Sequence, residues 1–386
     1  MVIQRDLYKR IKPYLRSKEA IIITGMRRVG KTTLIRFIFD EIRSHNKVFI
    51  DLENPLNRKI FEEVDYEKIK KGFELSGLDF QKNTFIFLDE IQFVSNMPSI
   101  VKYFIDHYQV KFFLTGSASF YLKNLFSESL AGRKYLLELF PLNFSEFLKL
   151  KDENITQLKK PTKFLWQKLY DLYEEYMEFG GFPEIILQKS RPNKIQALKD
   201  IFSSYFQMEV KQLGDFKKDE KIRDLILLLA ERIGGKLDVQ KLAQELGLAR
   251  ETVSQYLSFL EGTYFIKTIR PFSYNKDVEI RTTPKIYFCD VGLANNIAKL
   301  NKGSLFEQAV FQNLYLKGEV NYYQRKNGAE IDFILEKTRA YEVKISPSLS
   351  DVNKLKKISQ GLRIKNFKIV AFNYTELPNT IYGFGI

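Results

Sequence analysis

A glycine-rich loop between a strand and a helix constrains this chain more than any other feature. Residues 25–32 read Gly-Met-Arg-Arg-Val-Gly-Lys-Thr, the spacing G-x-x-x-x-G-K-T of a phosphate-binding loop. The apolar run Ala20, Ile21, Ile22, Ile23 stands directly before it, and a helical stretch from Thr33 to Ile42 follows. Strand, loop and helix in that order are the context the pattern requires. Gly25 and Gly30 allow backbone angles that a side chain would forbid. The loop N–H groups and the N-terminus of the next helix then face an anion. Lys31 is expected to reach the β- and γ-phosphates of ATP, and the Thr32 hydroxyl to ligate Mg²⁺. The candidate nucleotide-binding set is Gly25, Met26, Arg27, Arg28, Val29, Gly30, Lys31, Thr32 and Thr33. Arg27 and Arg28 could meet phosphate or a nucleic-acid partner, and the sequence does not choose.

The second strand reads Lys47 to Leu52, with Asp51 and Glu53 at its end. That end is where an open α/β sheet places its ligand crevice. These two acids could orient water or Mg²⁺, or be solvated loop carboxylates. The run Thr84 to Leu88 is apolar after its first residue and ends in Asp89-Glu90, as a central parallel strand carrying two acids would. Asp89 is expected to hold Mg²⁺ through water, and Glu90 to act as general base on the attacking water. The run Lys111 to Leu114 is a further buried strand that ends in Thr115, Gly116 and Ser117. Thr115 or Ser117 would supply a hydroxyl beside the γ-phosphate; Ser117 or Ser119 could instead cap a helix.

At these residues the chain resembles a family. The loop Gly-x-Arg-Arg-x-Gly-Lys-Thr, Leu88 to Gln92, Leu114 to Ser117, Leu130 to Arg133 and Phe140 to Phe147 look like the prokaryotic, AAA-type "archaeal ATPase" group. The resemblance covers most of the chain. It implies an α/β fold with an AAA-type P-loop NTPase core of parallel strands. A helical lid, a winged helix-turn-helix and a C-terminal α/β nuclease-like domain are implied after it. It also makes Arg133 the candidate for stabilising transition-state charge, within the chain or across a subunit contact; a surface arginine paired to an acid is the competing reading.

The chain turns polar from Asn154 to Pro161, which marks a linker. Leu165, Leu169, Leu172, Tyr173 and Tyr176 share one helical stripe, broken by Gly180-Gly181-Phe182-Pro183. Three helical stretches follow, Ile222–Glu231, Val239–Leu246 and Arg250–Leu260. Ala243, Gly247 and Val253 fit helix-turn-helix needs: close approach, a left-handed turn and inward packing. Hairpin strands at Tyr264–Arg270 and Lys285–Phe288 would add a wing carrying Lys267, Arg270, Lys276 and Arg281. The DNA-facing set would be Arg250, Ser254, Gln255 and Ser258, on a recognition helix of the kind that enters a duplex groove. An adaptor packing on protein is the competing reading.

In the last stretch, Glu307 opens a helix, Asp332 lies on one strand, and Glu342 and Lys344 share one face of the next. The order Glu…Asp…Glu-x-Lys resembles the restriction-endonuclease-like superfamily. The resemblance implies that Glu307, Asp332 and Glu342 gather around Mg²⁺ with Lys344 beside the water. The expected division is 1–150 for the ATPase core, 151–220 for the lid, 221–294 for the winged helix and 295–386 for the nuclease-like domain.

Composition narrows the partners. A net charge of +14 over 386 residues favours a polyanion such as DNA. No stretch reaches the roughly 18 apolar residues of a membrane span. The single cysteine, Cys289, excludes an internal disulfide and suits a reducing cytoplasm. The abundance of Lys, Ile, Phe and Tyr fits a thermophile or an AT-rich genome. His45 and His107 have no partner at ligand spacing, which argues against zinc. The resulting expectation is a cytoplasmic Mg²⁺-dependent ATPase acting on or with DNA. A nucleotide-switched regulator of a protein partner and an ATP-gated DNA nuclease are the alternatives, and self-association stays open.

Overall fold

The computed structural model describes residues 3–117, 130, 132–153, 155, 161–213, 219–325 and 328–386. Ser119, Ala131 and most of the expected linker lie outside them. The chain divides into two compact units, residues 1–140 with 262–264, and residues 141–261 with 265–386.

The first unit is an α/β layer structure around a five-stranded parallel sheet. Strands β1 (Ala20–Thr24), β2 (Lys47–Asp51), β3 (Thr84–Asp89), β4 (Val110–Gly116) and β5 (Lys134–Glu138) lie in the order β2-β3-β4-β1-β5. Every residue of β1 and β4 is buried, as strands covered on both faces must be. The helix Met97–His107 buries Met97, Ile100, Val101, Phe104 and Ile105. That is a one-sided stripe at helical period, and it joins the cluster containing Ile86, Leu88, Phe112 and Leu114 of the sheet. The N-terminal segment forms the short helix Asp6–Ile11, which buries Leu7, Tyr8 and Ile11.

In the second unit, helices Lys163–Phe179 and Arg191–Tyr205 precede Asp219–Glu231, Val239–Leu246 and Arg250–Gly262. Gly247 caps the middle helix of that trio at φ 64°, the left-handed turn expected of it. Ala243 and Val253 are buried. Strands β6 (Ile266–Ile269) and β7 (Lys285–Phe288) then pair antiparallel, and Lys236 bridges to Lys285. The helix Lys276–Arg281 lies in sequence between these strands.

The remainder is a mixed sheet of β8 (Val320–Gln324), β9 (Glu330–Leu335), β10 (Arg339–Lys344), β11 (Asn366–Ala371) and β12 (Thr380–Tyr382). Its first three strands are antiparallel and its last three parallel. Val352 and Leu355, on the helix Leu349–Gly361, pack on Ile331, Ile334, Ala340 and Ile369 of this sheet. The helix Lys302–Tyr315 binds the unit together through buried amides. Gln308 Oε1 accepts from Phe288 N at 2.9 Å while its Nε2 donates to Phe288 O at 2.8 Å. Gln312 Oε1 accepts from Val291 N at 3.0 Å, and Asn313 Oδ1 from Phe144 N at 3.0 Å. Apart from residues 262–264, the stretches expected as lid, winged helix and nuclease-like domain therefore fall in one compact unit.

Candidate nucleotide site and acid cluster

The loop begins where β1 ends. Gly25 has φ 153°, and a Cβ there would stand 2.1 Å from Leu139 O, so no other residue fits without moving backbone. Gly30 caps the next helix at φ 95°. Arg5 clamps the loop, donating from Nη1 to Val29 O at 2.9 Å and from Nη2 to Phe140 O at 2.7 Å. Met26 and Val29 are buried, while Arg28 and Thr33 are exposed and Arg27 is half-buried. The helix Lys31–Glu41 starts with Lys31, which is 4% exposed. Its ammonium donates to Gly25 O at 3.0 Å and Met26 O at 3.1 Å.

Asp89 and Glu90 stand at the end of β3, beside β4. Thr115 Oγ1 donates to Asp89 Oδ1, and the Thr32 hydroxyl stands near enough to that carboxylate to favour its ionised form. Burial holds the Asp89 carboxyl above its ordinary range, against the influence of those two hydroxyls. Glu90 takes φ 56°. Its N–H donates to Thr115 Oγ1 at 3.2 Å, and its Oε2 accepts from Gln92 Nε2. Gln92 Nε2 also donates to Ser117 Oγ at 3.0 Å. Asp89, Glu90, Thr115 and Ser117 thus form one connected group through Gln92, with Thr32 beside Asp89. Thr32 with Asp89 presents the hard oxygen donors that suit Mg²⁺. Asp51 is turned to its own loop, accepting from Glu53 N at 2.8 Å.

Arg133 is placed elsewhere. Its carbonyl accepts from Ala20 N at 2.8 Å, at the opposite end of β1 from the loop. Five strand residues, roughly 16 Å, separate the two ends. Its Nε donates to Asp106 Oδ1 at 2.7 Å. The strand that Arg133 precedes runs parallel to β1, so it starts at the edge away from the loop, where the arginine pairs with Asp106. Sequence reading passed over Arg5 and Gln92 as site residues. Gln92 stood in the quoted Leu88–Gln92 motif, whereas nothing local marks Arg5.

In the second unit, Arg250, Ser254, Gln255 and Ser258 are all exposed on the helix Arg250–Gly262. On the expected wing, Arg270, Lys276 and Arg281 are exposed, and Lys267 lies 3.6 Å from Glu261.

The carboxylates of the last stretch meet cations and donors of the protein itself. Lys285, on β7, is 6% exposed and lies 2.6 Å from Glu330 Oε1. Tyr287, two residues on, donates to Glu307 Oε1 at 2.7 Å. Asp332 Oδ2 accepts from Val343 N at 2.7 Å. Lys344 Nζ lies 3.0 Å from Glu342 Oε1, while Glu342 Oε2 is buried without a hydrogen-bond partner. Burial, and after it the charge of Asp332, pushes Glu307 and Glu342 each up to about 7. Burial lowers the proton affinity of Lys285, but Glu307, Glu330 and Asp332 outweigh it and hold the ammonium above its ordinary value. Among the described residues no three carboxylate, imidazole or thiol groups converge to hold a metal ion. The expected triad of Glu307, Asp332 and Glu342 around one ion is therefore not formed as placed. Glu307 faces Tyr287, and Asp332 is tied to the backbone of β10.

Among the described residues no helix is long and apolar enough to cross a membrane. Comparison with known proteins supplies the remaining context. Residues 17–148 match the family model of the AAA domain. Two further models, each described as a domain of unknown function, match residues 170–304 and 302–379. An uncharacterized protein of Methanocaldococcus jannaschii is 29% identical over 96% of this chain and 85% of its own length. An uncharacterized protein of Haemophilus influenzae is 28% identical over 82% of this chain and 79% of its own. Among solved structures, the Aeropyrum pernix ORC1 protein in complex with DNA aligns with 78% of this chain and 94% of its own, at 12% identity and TM-score 0.35. AMPPCP-bound DnaA from Aquifex aeolicus aligns with 66% of this chain and 86% of its own, at 17% identity and TM-score 0.29. The first unit carries an AAA-type P-loop domain.

Proposed function

We propose that this protein binds and hydrolyses ATP with Mg²⁺ in the cytoplasm, and uses the cycle to act on or with DNA. The observation that carries the ATPase reading is the hydrogen-bonded group joining Asp89, Glu90 and Thr115, with Thr32 of the loop beside Asp89 and next to Lys31. In this reading the loop N–H groups and the Lys31 ammonium bind the β- and γ-phosphates. Thr32 and Asp89 would hold Mg²⁺, which shields the charge of the transferring phosphoryl group. Glu90 takes the proton of the attacking water. Gln92 and Thr115 hold Glu90 in place, and Ser117 supports Gln92. Steady-state ATP hydrolysis by the full chain tests this directly, and a Glu90→Gln chain as active as the natural one would remove the assignment.

The DNA part rests on the net charge of +14 and on the exposed polar residues of the helix Arg250–Gly262. Helix, bridge, two helices and a hairpin follow the order of a winged helix-turn-helix, in which Arg250, Ser254, Gln255 and Ser258 would face the groove. The proposed division is an ATPase core to about residue 150, a lid to 220, a winged helix to 294 and a nuclease-like domain to the end. A second reading, a regulatory ATPase with a protein partner, is favoured by Tyr274, Val278 and Ile280, which are 74%, 49% and 63% exposed beside the hairpin. ATPase rates with and without duplex DNA at two salt concentrations separate the two. A DNA effect that fades steeply with salt supports phosphate contacts, and no effect at low salt supports the protein partner.

A further inference from the structure

The acid cluster of the second unit comprises Glu307, Glu330, Asp332 and Glu342, on a helix and two strands, near enough to feel one another's charge though no three converge on one ion. Carboxylates so placed repel one another and lose hydration, so the fold needs positive charge among them. In a metal-dependent nuclease-like site that charge is a divalent ion. Here a lysine stands in the cluster. Lys285 comes from β7, outside the stretch that carries the Glu…Asp…Glu-x-Lys order, and it is almost fully buried. A buried ammonium is costly unless it is paired. Its partner is Glu330 at 2.6 Å, and its nitrogen lies 5.4 Å from the centre of the Tyr322 ring. Residues two apart on a strand share a face, so Tyr287 follows Lys285 to the same acids and donates to Glu307. The strand cannot drift from this position, because Gln308 of the Glu307 helix grips both backbone groups of Phe288.

We infer that Lys285 is the built-in cation of this cluster: its ammonium takes the charge-balancing place that a divalent ion takes in a nuclease-like site, so the acids are held without metal. Lys344 serves the Glu342 end in the same way, at 3.0 Å. This inference is independent of the ATPase reading.

The test uses the full chain without nucleotide and follows thermal melting and Mn²⁺ binding by electron paramagnetic resonance. The natural protein is expected to melt at the same temperature in EDTA and in Mn²⁺, with no bound Mn²⁺ that disappears in Asp332→Asn. Lys285→Met, which keeps bulk and removes charge, should melt lower in EDTA and recover in Mn²⁺. It should also gain a Mn²⁺ site that Asp332→Asn abolishes. Mn²⁺ binding by the natural chain that is lost in Asp332→Asn would overturn the inference, as would a folded Lys285→Met chain indifferent to Mn²⁺. If Lys285→Met does not fold, Lys285→Arg decides with the natural chain. A folded, Mn²⁺-indifferent arginine variant supports a required fixed cation, and Asp332-dependent Mn²⁺ binding by it refutes one.

Discussion

Thr115 Oγ1 donates to the Asp89 carboxylate and accepts the Glu90 N–H at 3.2 Å, so one hydroxyl on β4 fixes both acids at the end of β3. Asp89 is buried and its carboxyl is held above the usual range chiefly by that burial. The hydroxyls of Thr115 and Thr32 work against the burial and favour the ionised form. Thr115→Val keeps the shape and removes the bonds. Turnover should fall about tenfold or more while ATP affinity changes little, the pattern of lost transition-state positioning. Steady-state kinetics beside equilibrium ATP binding measure the split.

The Lys31 ammonium is a charged donor held against the loop. A hydrogen bond to a charged group contributes about 1.5–3 kcal/mol. Lys31→Ala should therefore weaken ATP binding roughly 10- to 100-fold. Titration with labelled ATP gives the value, and equal affinities would sink the phosphate assignment.

Glu90→Gln should behave differently. The amide still accepts from Gln92 but cannot take a proton, so ATP remains bound while turnover slows about 10²-fold or more. A rate near that of the natural chain would transfer the base role to another acid.

Arg133 pairs with Asp106 at the far end of β1. Asp106 is exposed and Arg133 half-buried, and surface pairs contribute at most about 1 kcal/mol. Arg133→Ala should leave turnover unchanged in dilute protein. A loss that appears only as concentration rises, and that mixing with Lys31→Ala chains relieves, would assign the arginine to a neighbouring subunit.

Four strands of the parallel sheet were legible because each centres on an apolar run, whereas β5 (Lys134–Glu138), a three-residue apolar run between charges, was not. The loop was legible because Lys31 directly follows Gly30 at the fixed spacing from Gly25. The Asp89–Glu90 pair and the Thr115 hydroxyl were legible for the same reason: each terminates such a run. The place of Arg133 was not legible, because sequence order does not say which end of a strand a residue meets. Arg5 reaches Val29 and Phe140 across 24 and 135 positions, a link that no local pattern carries. Lys285 was read as part of a hairpin strand, since only the packing of β7 on the helix Lys302–Tyr315 turns it toward Glu330.

Asp290 gives the last prediction, on pH. It is fully buried, caps the helix Val291–Ala298 by accepting from Leu293 N at 2.9 Å, and accepts from Gly181 N at 2.7 Å. Burial is the largest influence on it and pushes its carboxyl from 3.8 up to about 6, against those hydrogen bonds. A raised carboxyl means the folded protein binds its proton more readily than the unfolded chain does. The stability this adds is complete below the unfolded value and is lost as pH rises through about 6. The difference is of order 3 kcal/mol. Glu307 and Glu342, raised to about 7, act in the same direction at slightly higher pH. The second unit should therefore melt higher at about pH 5.5 than at about pH 8, a window above the range where ordinary carboxylates protonate. Asp290→Asn keeps the size but offers one acceptor oxygen to three N–H donors, Gly181 N, Leu293 N and Gln312 Nε2, so it should melt lower throughout. The informative quantity is the slope: in Asp290→Asn the gain between pH 7 and pH 5 should shrink while the part near pH 7 stays. A slope identical to that of the natural chain would mean that Asp290 is ionised in the fold across this range, its hydrogen bonds outweighing its burial.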